Sequence, residues 1–240
     1  MAIINKMQID TLLQSKFFQK LHPTTVDAFL QHGQLRRYHR GNLILSAREK
    51  NPFIFFSVSG KTMVYNLTHD GKQKTLFILK AGVLLNESIL SPESVSTFCE
   101  ALEAVTVLAI PQAVFLDCME HDFALTKAVL AAAERRVWRL NHQLKNTIGS
   151  IHLERKLAAK LWKLARDFGI PSENGIEIDL NLSVTFLADM LGASRETTSR
   201  VCTTLVNHGL ISMQNKQITI HPEECSIFYR TGKFPDNPIR

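Results

Sequence analysis

The 240-residue chain has only four cysteines, Cys99, Cys118, Cys202 and Cys225, and none of them forms a C-x-x-C pair. Iron–sulfur and zinc sites draw on closely spaced thiols, so neither is expected. Disulfide frameworks belong to small secreted domains, and the four cysteines read as reduced thiols. No apolar run approaches the roughly 18 residues that would suggest a membrane span. The opening residues, MAIINKMQIDTLLQSKFF, interleave charged and polar groups and lack the continuous apolar stretch of a secretory signal. A cytoplasmic location with no membrane partner is the expectation. Internal repeats and low-complexity segments are absent. So are a nucleophile–base constellation, a phosphate loop and a His/Glu set at metal-ligand spacing, and neither an enzyme nor a metal centre is expected.

What is present suits a folded chain of one large or two small domains, with 45% hydrophobic and 21% charged residues. The net charge is +6, a balance that fits a nucleic-acid partner without requiring one. It is spread thinly. Residues 1–120 carry 12 Lys+Arg against 10 Asp+Glu, residues 121–149 carry 5 against 2, and residues 150–240 carry 11 against 10. If the C-terminal part binds DNA, the placement of a few arginines must decide it.

Residues 5–32 read as short helices, with Leu12, Leu13, Phe17 and Leu21 at helical spacing and Thr24 or Thr25 as the cap of a second helix through Leu30. From Gly33 to Ile110 short apolar runs alternate with single glycines. Leu43–Leu45, Phe53–Val58, Thr62–Tyr65 and Thr75–Leu79 read as strands, Asp70-Gly71 as a hairpin turn, and Ser94–Leu108 as a further strand pair. Such spacing points to a small antiparallel barrel or sandwich.

Past Pro111 the periodicity becomes helical. Thr126, Val129, Ala133, Val137, Leu140, Leu144 and Ile148 follow steps of three and four, a seam for another helix along a rod of roughly 40 Å. A second copy is the simplest partner, with Val129, Ala133, Val137, Leu140 and Leu144 in a twofold interface. Packing on the chain's own barrel is the competing assignment, and different faces of the helix can serve both. Asn146–Ser150, with Gly149, interrupts the pattern and reads as a hinge. The division is therefore 1–120 β-rich domain, 121–149 long helix and hinge, and 150–240 C-terminal domain. In the last, Leu153, Leu157, Leu161 and Leu164 mark an amphipathic helix ending near Gly169. A loop at Pro171–Gly175 and a strand at Ile176–Leu180 follow, and the tail from Tyr229 reads as loose.

The segment from Ser183 to Ile220 carries the chemistry. Leu187, Ala188 and Leu191 give one helix an apolar face, Gly192 allows a turn, and Ser194 suits the N-cap of the next helix. There Thr198, Val201 and Leu205 point inward, leaving Arg195, Glu196, Ser199, Arg200 and Thr203 outward. Gly209 can close the helix in a left-handed cap. Helix, glycine turn and helix is the helix-turn-helix layout, whose second helix enters the major groove. Arginine can donate twice to guanine and glutamate can accept from cytosine N4, while Ser194 and Thr197 suit phosphates. Ile211–Ile220 reads as a wing turning at Asn215-Lys216. A helical pair that merely packs, with a solvated Arg/Glu face, fits the same spacing.

The run Leu187-Ala188-Asp189-Met190-Leu191-Gly192-Ala193-Ser194-Arg195-Glu196-Thr197-Thr198-Ser199-Arg200-Val201 resembles the recognition motif of the CRP/FNR superfamily. Phe55–Gly60, Asp70-Gly71-Lys72, Gly82, Glu87, Ala101-Leu102-Glu103 and Glu154–Ala158 resemble the family's β-roll turns and the first helix of its DNA domain. The resemblance covers about residues 17–222. It implies an α+β chain with an antiparallel, jelly-roll-like β-roll sensor, a long dimerisation helix and a winged helix-turn-helix. It further implies a homodimer on double-stranded DNA that works with RNA polymerase, through Pro171–Gly175 or Asp70-Gly71. Ser194, Arg195, Glu196, Thr197, Ser199 and Arg200 would contact a palindrome with TGTGA- or TTGA-like halves.

For the effector, cyclic-AMP-responsive members carry Gly-Glu and, further on, Arg-Ser or Arg-Thr in the sensor cassette. Here the pairs are Asn86-Glu87 and Val95-Ser96, and valine offers a cyclic phosphate neither charge nor donor. Cyclic AMP is not expected unless Arg136 reaches in from the helix. The iron–sulfur members' N-terminal cysteines are absent. Haem stays open, since nine histidines occur at no telling spacing. The remaining expectation is a small, partly apolar effector of unknown identity, meeting Gly82, Leu84, Leu85, Asn86, Glu87, Val95, Ser96, Arg136, Trp138, Leu140 and Asn141. A regulator of the same fold controlled by abundance or thiol chemistry, and a sensor module serving a protein partner, are the alternatives.

Overall fold

The computed structural model describes residues 6–91, 95–145 and 152–234. The chain is α+β and forms two compact units that part at Asn141–His142, with Lys72–Lys74 grouped with the second.

The first unit opens with α1 (Lys6–Leu13), a 3₁₀ turn (Phe18–Lys20) and α2 (Pro23–His32). Seven strands follow: β1 (Gln34–Tyr38), β2 (Leu43–Leu45), β3 (Phe53–Ser59), β4 (Thr62–Leu67), β5 (Gln73–Leu79), β6 (Phe98–Ala101) and β7 (Val105–Pro111). They make two antiparallel sheets, ordered β1-β7-β3 and β2-β6-β4-β5. The Asp70-Gly71 turn links β4 to β5, with Gly71 at φ +77°. Strand β3 has apolar neighbours on both faces. Ile54, Phe56 and Val58 face the helices with Phe17, Phe18, Phe29 and Phe115, and Phe55 faces Val64, Phe77, Leu85 and Val107. A strand buried on both sides needs no polar alternation, which is why FIFFSVS reads as one apolar run. Phe18 meets Phe56 edge-on at 4.7 Å and Phe29 stacks on Phe115 at 5.2 Å.

Two helices close this unit, α3 (Gln112–His121) and α4 (Phe123–Lys145). Asp122 breaks them apart at φ −117°. Its carboxylate accepts from the amides of His22 (2.8 Å), Ala124 (2.9 Å) and Leu125 (3.2 Å) and from the Thr25 hydroxyl (2.8 Å). The expected cap of α2 is thus corrected. Neither Thr24 nor Thr25 caps it. Pro23 starts the helix, where its missing N–H costs nothing, and Asp122 serves the helix start from 100 residues away.

The second unit holds α5 (Leu153–Phe168), β8 (Gly169–Ser172), β9 (Gly175–Ile178), α6 (Val184–Leu191), α7 (Arg195–Asn207), β10 (Ile211–Gln214), β11 (Gln217–Ile220) and α8 (Pro222–Thr231). Its sheet runs β10-β11-β9-β8. Two expectations change here. Pro171 lies in a strand rather than a loop, tolerated because β8 is an edge strand that needs no donor on its open side. The segment from Tyr229 is not loose throughout. Helix α8 runs to Thr231, and Phe234 stacks on His208 (3.9 Å) and Phe228 (4.4 Å). The hinge expected at Asn146–Ser150, the strand start expected at Ser94 and the seam position Ile148 lie outside the described residues. Among the described residues no helix is long and apolar enough to cross a membrane.

Four hydrogen bonds to the ionised carboxylate outweigh its desolvation and hold the Asp122 pKa below the ordinary aspartate value. Its stabilisation is present above the unfolded-state pKa of about 3.9 and is lost as pH falls through the depressed folded value. Asp122→Asn should therefore lower stability by roughly 1–3 kcal/mol at neutral pH. Melting curves across pH should show that gap closing in acid.

Candidate nucleic-acid interface and sensor cassette

Helix α6 begins at Ser183, whose hydroxyl accepts from the Phe186 amide at 3.1 Å, and stops at Gly192, φ +72°. Helix α7 begins at Ser194, whose Oγ accepts from the Thr197 amide at 3.1 Å and donates to the Thr197 hydroxyl at 3.0 Å. At its far end the amides of Gly209 and Leu210 reach the carbonyls of Val206 (2.9 Å) and Leu205 (3.0 Å), with Gly209 at φ +68°. That is the Schellman arrangement, which requires the left-handed residue that glycine supplies. Both ends of α7 are thus fixed by local chemistry.

Between those caps Thr198, Val201, Cys202 and Leu205 are buried. Arg195, Glu196, Ser199, Arg200 and Thr203 are exposed, and Thr197 is half-buried. Glu196 lies in the first turn. Its own backbone N–H, the Ser194 hydroxyl and the nearby Arg195 and Arg200 hold its carboxyl below the usual range, so it is an acceptor at neutral pH. Asn215 and Lys216 both take positive φ (+47° and +68°), the turn that closes a two-residue hairpin, and form the wing tip. Arg195 and Lys216 line one cleft with Leu182, Ser183, Val184, Thr185 and Met213. The wing thus adds a second cation, Lys216, beside the start of α7, which the spacing argument had not singled out.

In the first unit the cassette from Gly82 to Glu87 lies along the free edge of β3. The Gly82 amide donates to the Ser57 carbonyl (2.8 Å), the Ser57 amide to Val83 (2.9 Å) and the Leu85 amide to Phe55 (2.8 Å). Leu84, Leu85 and Val95 are core residues. Asn86 is buried, with its amide oxygen accepting from the Phe55 N–H (2.7 Å) and its nitrogen donating to the Phe53 carbonyl (3.0 Å). Glu87 turns to the returning chain and accepts from the Ser96 amide and from the Thr97 amide and hydroxyl (both 3.0 Å).

Arg136 reaches this cassette. Its guanidinium donates to the Asn86 carbonyl, to Leu84 at 2.5 Å and to Leu85 at 3.0 Å. Of the other α4 residues expected at the effector, Trp138, Leu140 and Asn141 are exposed on the helix. The seam splits as well. Thr126 bonds the Met119 carbonyl (2.6 Å) and Val129 packs on the aromatic core of its own chain. Ala133, Val137, Leu140 and Leu144 are exposed, and Leu130 joins them. Steps of 3, 4, 3 and 4 separate these five, which is the heptad spacing of a helix–helix seam.

All four cysteines are buried. Burial pushes the Cys99 and Cys225 thiols up to about 12, Cys202 up to about 11, and Cys118 upward.

Residues 35–122 match the cyclic nucleotide-binding domain and residues 155–224 the Crp-like helix-turn-helix domain. The chain is 22% identical over 216 residues to a CRP-like cAMP-activated global transcriptional regulator of Mycobacterium tuberculosis, covering 90% of this chain and 96% of that one. Its fold is similar to that of a crp/fnr-family regulator from Eubacterium rectale, with TM-score 0.72, 17% identity and coverage of 90% and 98%. It is also similar to that of CLP, the c-di-GMP-responsive global regulator of Xanthomonas campestris, with TM-score 0.70, 16% identity and coverage of 83% and 99%. The chain belongs to the CRP/FNR family: it is a DNA-binding transcription regulator with a cyclic-nucleotide-binding-like domain.

Because Ser183 alone supplies the side-chain cap of α6, Ser183→Ala should cost about 1 kcal/mol in the stability of the second unit. Urea melts of the full chain carrying Trp138→Phe, which leaves Trp162 as the one tryptophan, measure this by fluorescence.

Proposed function

We propose that the protein acts as a homodimer that reads an inverted repeat with TGTGA- or TTGA-like halves, under the control of a small effector in the β-roll. The observation that carries the DNA reading is the single exposed face of α7. It presents Arg195, Glu196, Ser199 and Arg200 from a helix whose N-terminus is fixed by Ser194. Arg195 and Arg200 would donate to guanine, Glu196 would accept from cytosine, and Ser194, Thr197 and Lys216 would meet phosphates. The exposed stripe Leu130, Ala133, Val137, Leu140 and Leu144 would form the twofold seam. The turns at Asp70-Gly71 and Glu173-Asn174 would be available to RNA polymerase.

Cyclic AMP is a poor fit as effector. Val95 is part of the apolar core, and Glu87 is engaged with Ser96 and Thr97. Relatives of this fold are named for different effectors, cAMP in one and c-di-GMP in another, so the fold does not carry the ligand with it. Thiol control has little support, since a thiol reacts as its thiolate and all four thiols are buried with raised pKa values.

The test is selection of genomic fragments at fixed salt, followed by binding assays on the enriched repeat. Arg200→Ala and Glu196→Ala should each relax base preference by about 1–3 kcal/mol while the dimer persists. Unchanged specificity in both variants would falsify the recognition-helix assignment. Separately, Val137→Asp with Leu144→Asp should give monomers in sedimentation and abolish binding to the full repeat. A dimer that survives both changes would place the interface elsewhere.

A further inference from the structure

We infer that Phe234 is a positioning residue for DNA reading: the chain beyond the wing returns as a clasp that holds the far end of α7. The inference rests on the recognition-helix reading above.

The match to the Crp-like helix-turn-helix domain ends at residue 224, inside the first turn of α8. Residues 225–234 lie beyond it, yet they are tied back to the helices at several points. The Cys225 thiol donates to the Leu210 carbonyl at 3.3 Å, one residue past the glycine that closes α7. Arg155, in the first turn of α5, donates to the Tyr229 carbonyl at 2.7 Å. That places a cation at the C-terminal end of α8, where the helix dipole favours one. Gly232, at φ +71°, then reverses the chain, a conformation open to glycine at no steric cost. The Thr231 hydroxyl fixes the reversal by accepting from the Lys233 amide (3.1 Å) while donating to the Ile227 carbonyl (2.9 Å).

The reversal delivers Phe234 to the end of the recognition helix. Its ring centroid is 3.9 Å from that of His208 and 4.4 Å from that of Phe228, with interplanar angles of 11° and 14°. Two rings that close to a third, and that nearly parallel to it, must lie on its opposite faces. Phe234 is therefore the middle of a three-ring stack. One end of the stack, Phe228, is buried. The other, His208, is the C-cap residue of α7, and its amide donates to the Thr204 carbonyl at 3.1 Å. The Schellman close fixes the last turn of α7 from within. The stack fixes where that turn sits on α8. A helix of 13 residues is a rod of about 20 Å, so a tilt at His208 is delivered at Arg195, Glu196 and Arg200. Hydrogen bonds to base edges weaken steeply when their angles change. If Phe234 only packs near the end of the chain, its loss will leave base reading as it was.

The test uses the full-length chain at fixed salt. Affinity is measured for the enriched repeat and for a duplex with scrambled half-sites, alongside hydrogen exchange of the amides from Thr204 to His208. In Phe234→Ala that exchange should quicken, and the ratio of the two affinities should fall about tenfold, the worth of one good base contact. Affinity for the scrambled duplex rests on phosphate charge and should hold, which a general loss of folding would not allow. Phe234→Tyr should restore both readings. His208→Ala, which breaks the stack from the α7 side, should lower the ratio in the same way, and it decides if Phe234→Ala does not fold by circular dichroism. An unchanged ratio in the folded variants, with or without faster exchange, overturns the inference. A wild type that selects no repeat removes the recognition-helix reading and the positioning role with it. A selective wild type with an unchanged ratio in the variants removes the positioning role alone.

Discussion

Three backbone carbonyls at the turn of the cassette, those of Leu84, Leu85 and Asn86, are satisfied by one side chain from another element. Buried backbone acceptors cost roughly as much as a lost hydrogen bond when left alone, so the cassette requires that partner. Arg136 provides it with three bonds from one rigid, planar group. A lysine in its place would offer a point charge without the fork. The cassette in turn lies on β3, a strand buried on both faces, so the guanidinium fixes α4 against a core strand of the roll. Asp122 makes the complementary bond at the start of the same helix, binding α2 and α4 to one carboxylate. Between them these two side chains, one cation and one anion, set where α4 begins and which of its faces turns inward.

The recognition helix depends on a different kind of interaction. Its two ends are closed by residues next to it in sequence, Ser194 at one and Gly209 at the other, and its inward face follows simple helical steps. Local chemistry of this sort leaves a direct trace in the sequence. For that reason the turn at Gly192, the cap at Ser194, the wing turn at Asn215-Lys216 and the outward set of Arg195, Glu196, Ser199 and Arg200 could all be placed from spacing alone.

Other features left no such trace. Asp122 acts on an amide 100 residues away, and nothing around it in sequence announces that role. Strand β8 contains a proline, which reads as a loop until β8 is known to be an edge. Helix α8 follows Pro222 in a polar stretch and packs on α5, far away in sequence. The effector residues were the least legible. A cassette residue such as Asn86 has the right chemistry for a ligand, yet its amide is bonded to its own β3. Trp138 lies on the same helix as Arg136 but is exposed. Side chains whose partners are backbone atoms of a distant strand cannot be recognised by spacing.

In the proposed dimer, the two faces of α4 would let one helix serve both sensing and assembly. Its inward stripe changes character along its length, from Leu125, Ala128 and Val129 on the aromatic core to Arg136 and Arg139 at the cassette. Its outward stripe, Leu130 through Leu144, keeps a heptad spacing throughout. The apolar part of the inward stripe is non-directional and tolerates a small slide. The arginine part is directional, because three carbonyls must each meet an N–H. Any ligand that competes for the guanidinium therefore acts on the one stretch of α4 whose register is set by geometry rather than by area. The same stretch carries Val137 and Leu140 on its opposite side. In the proposed dimer, a change in the register of Arg136 would displace the seam by the same amount, and the differential affinity of the ligand for the two registers would set how far the equilibrium moves.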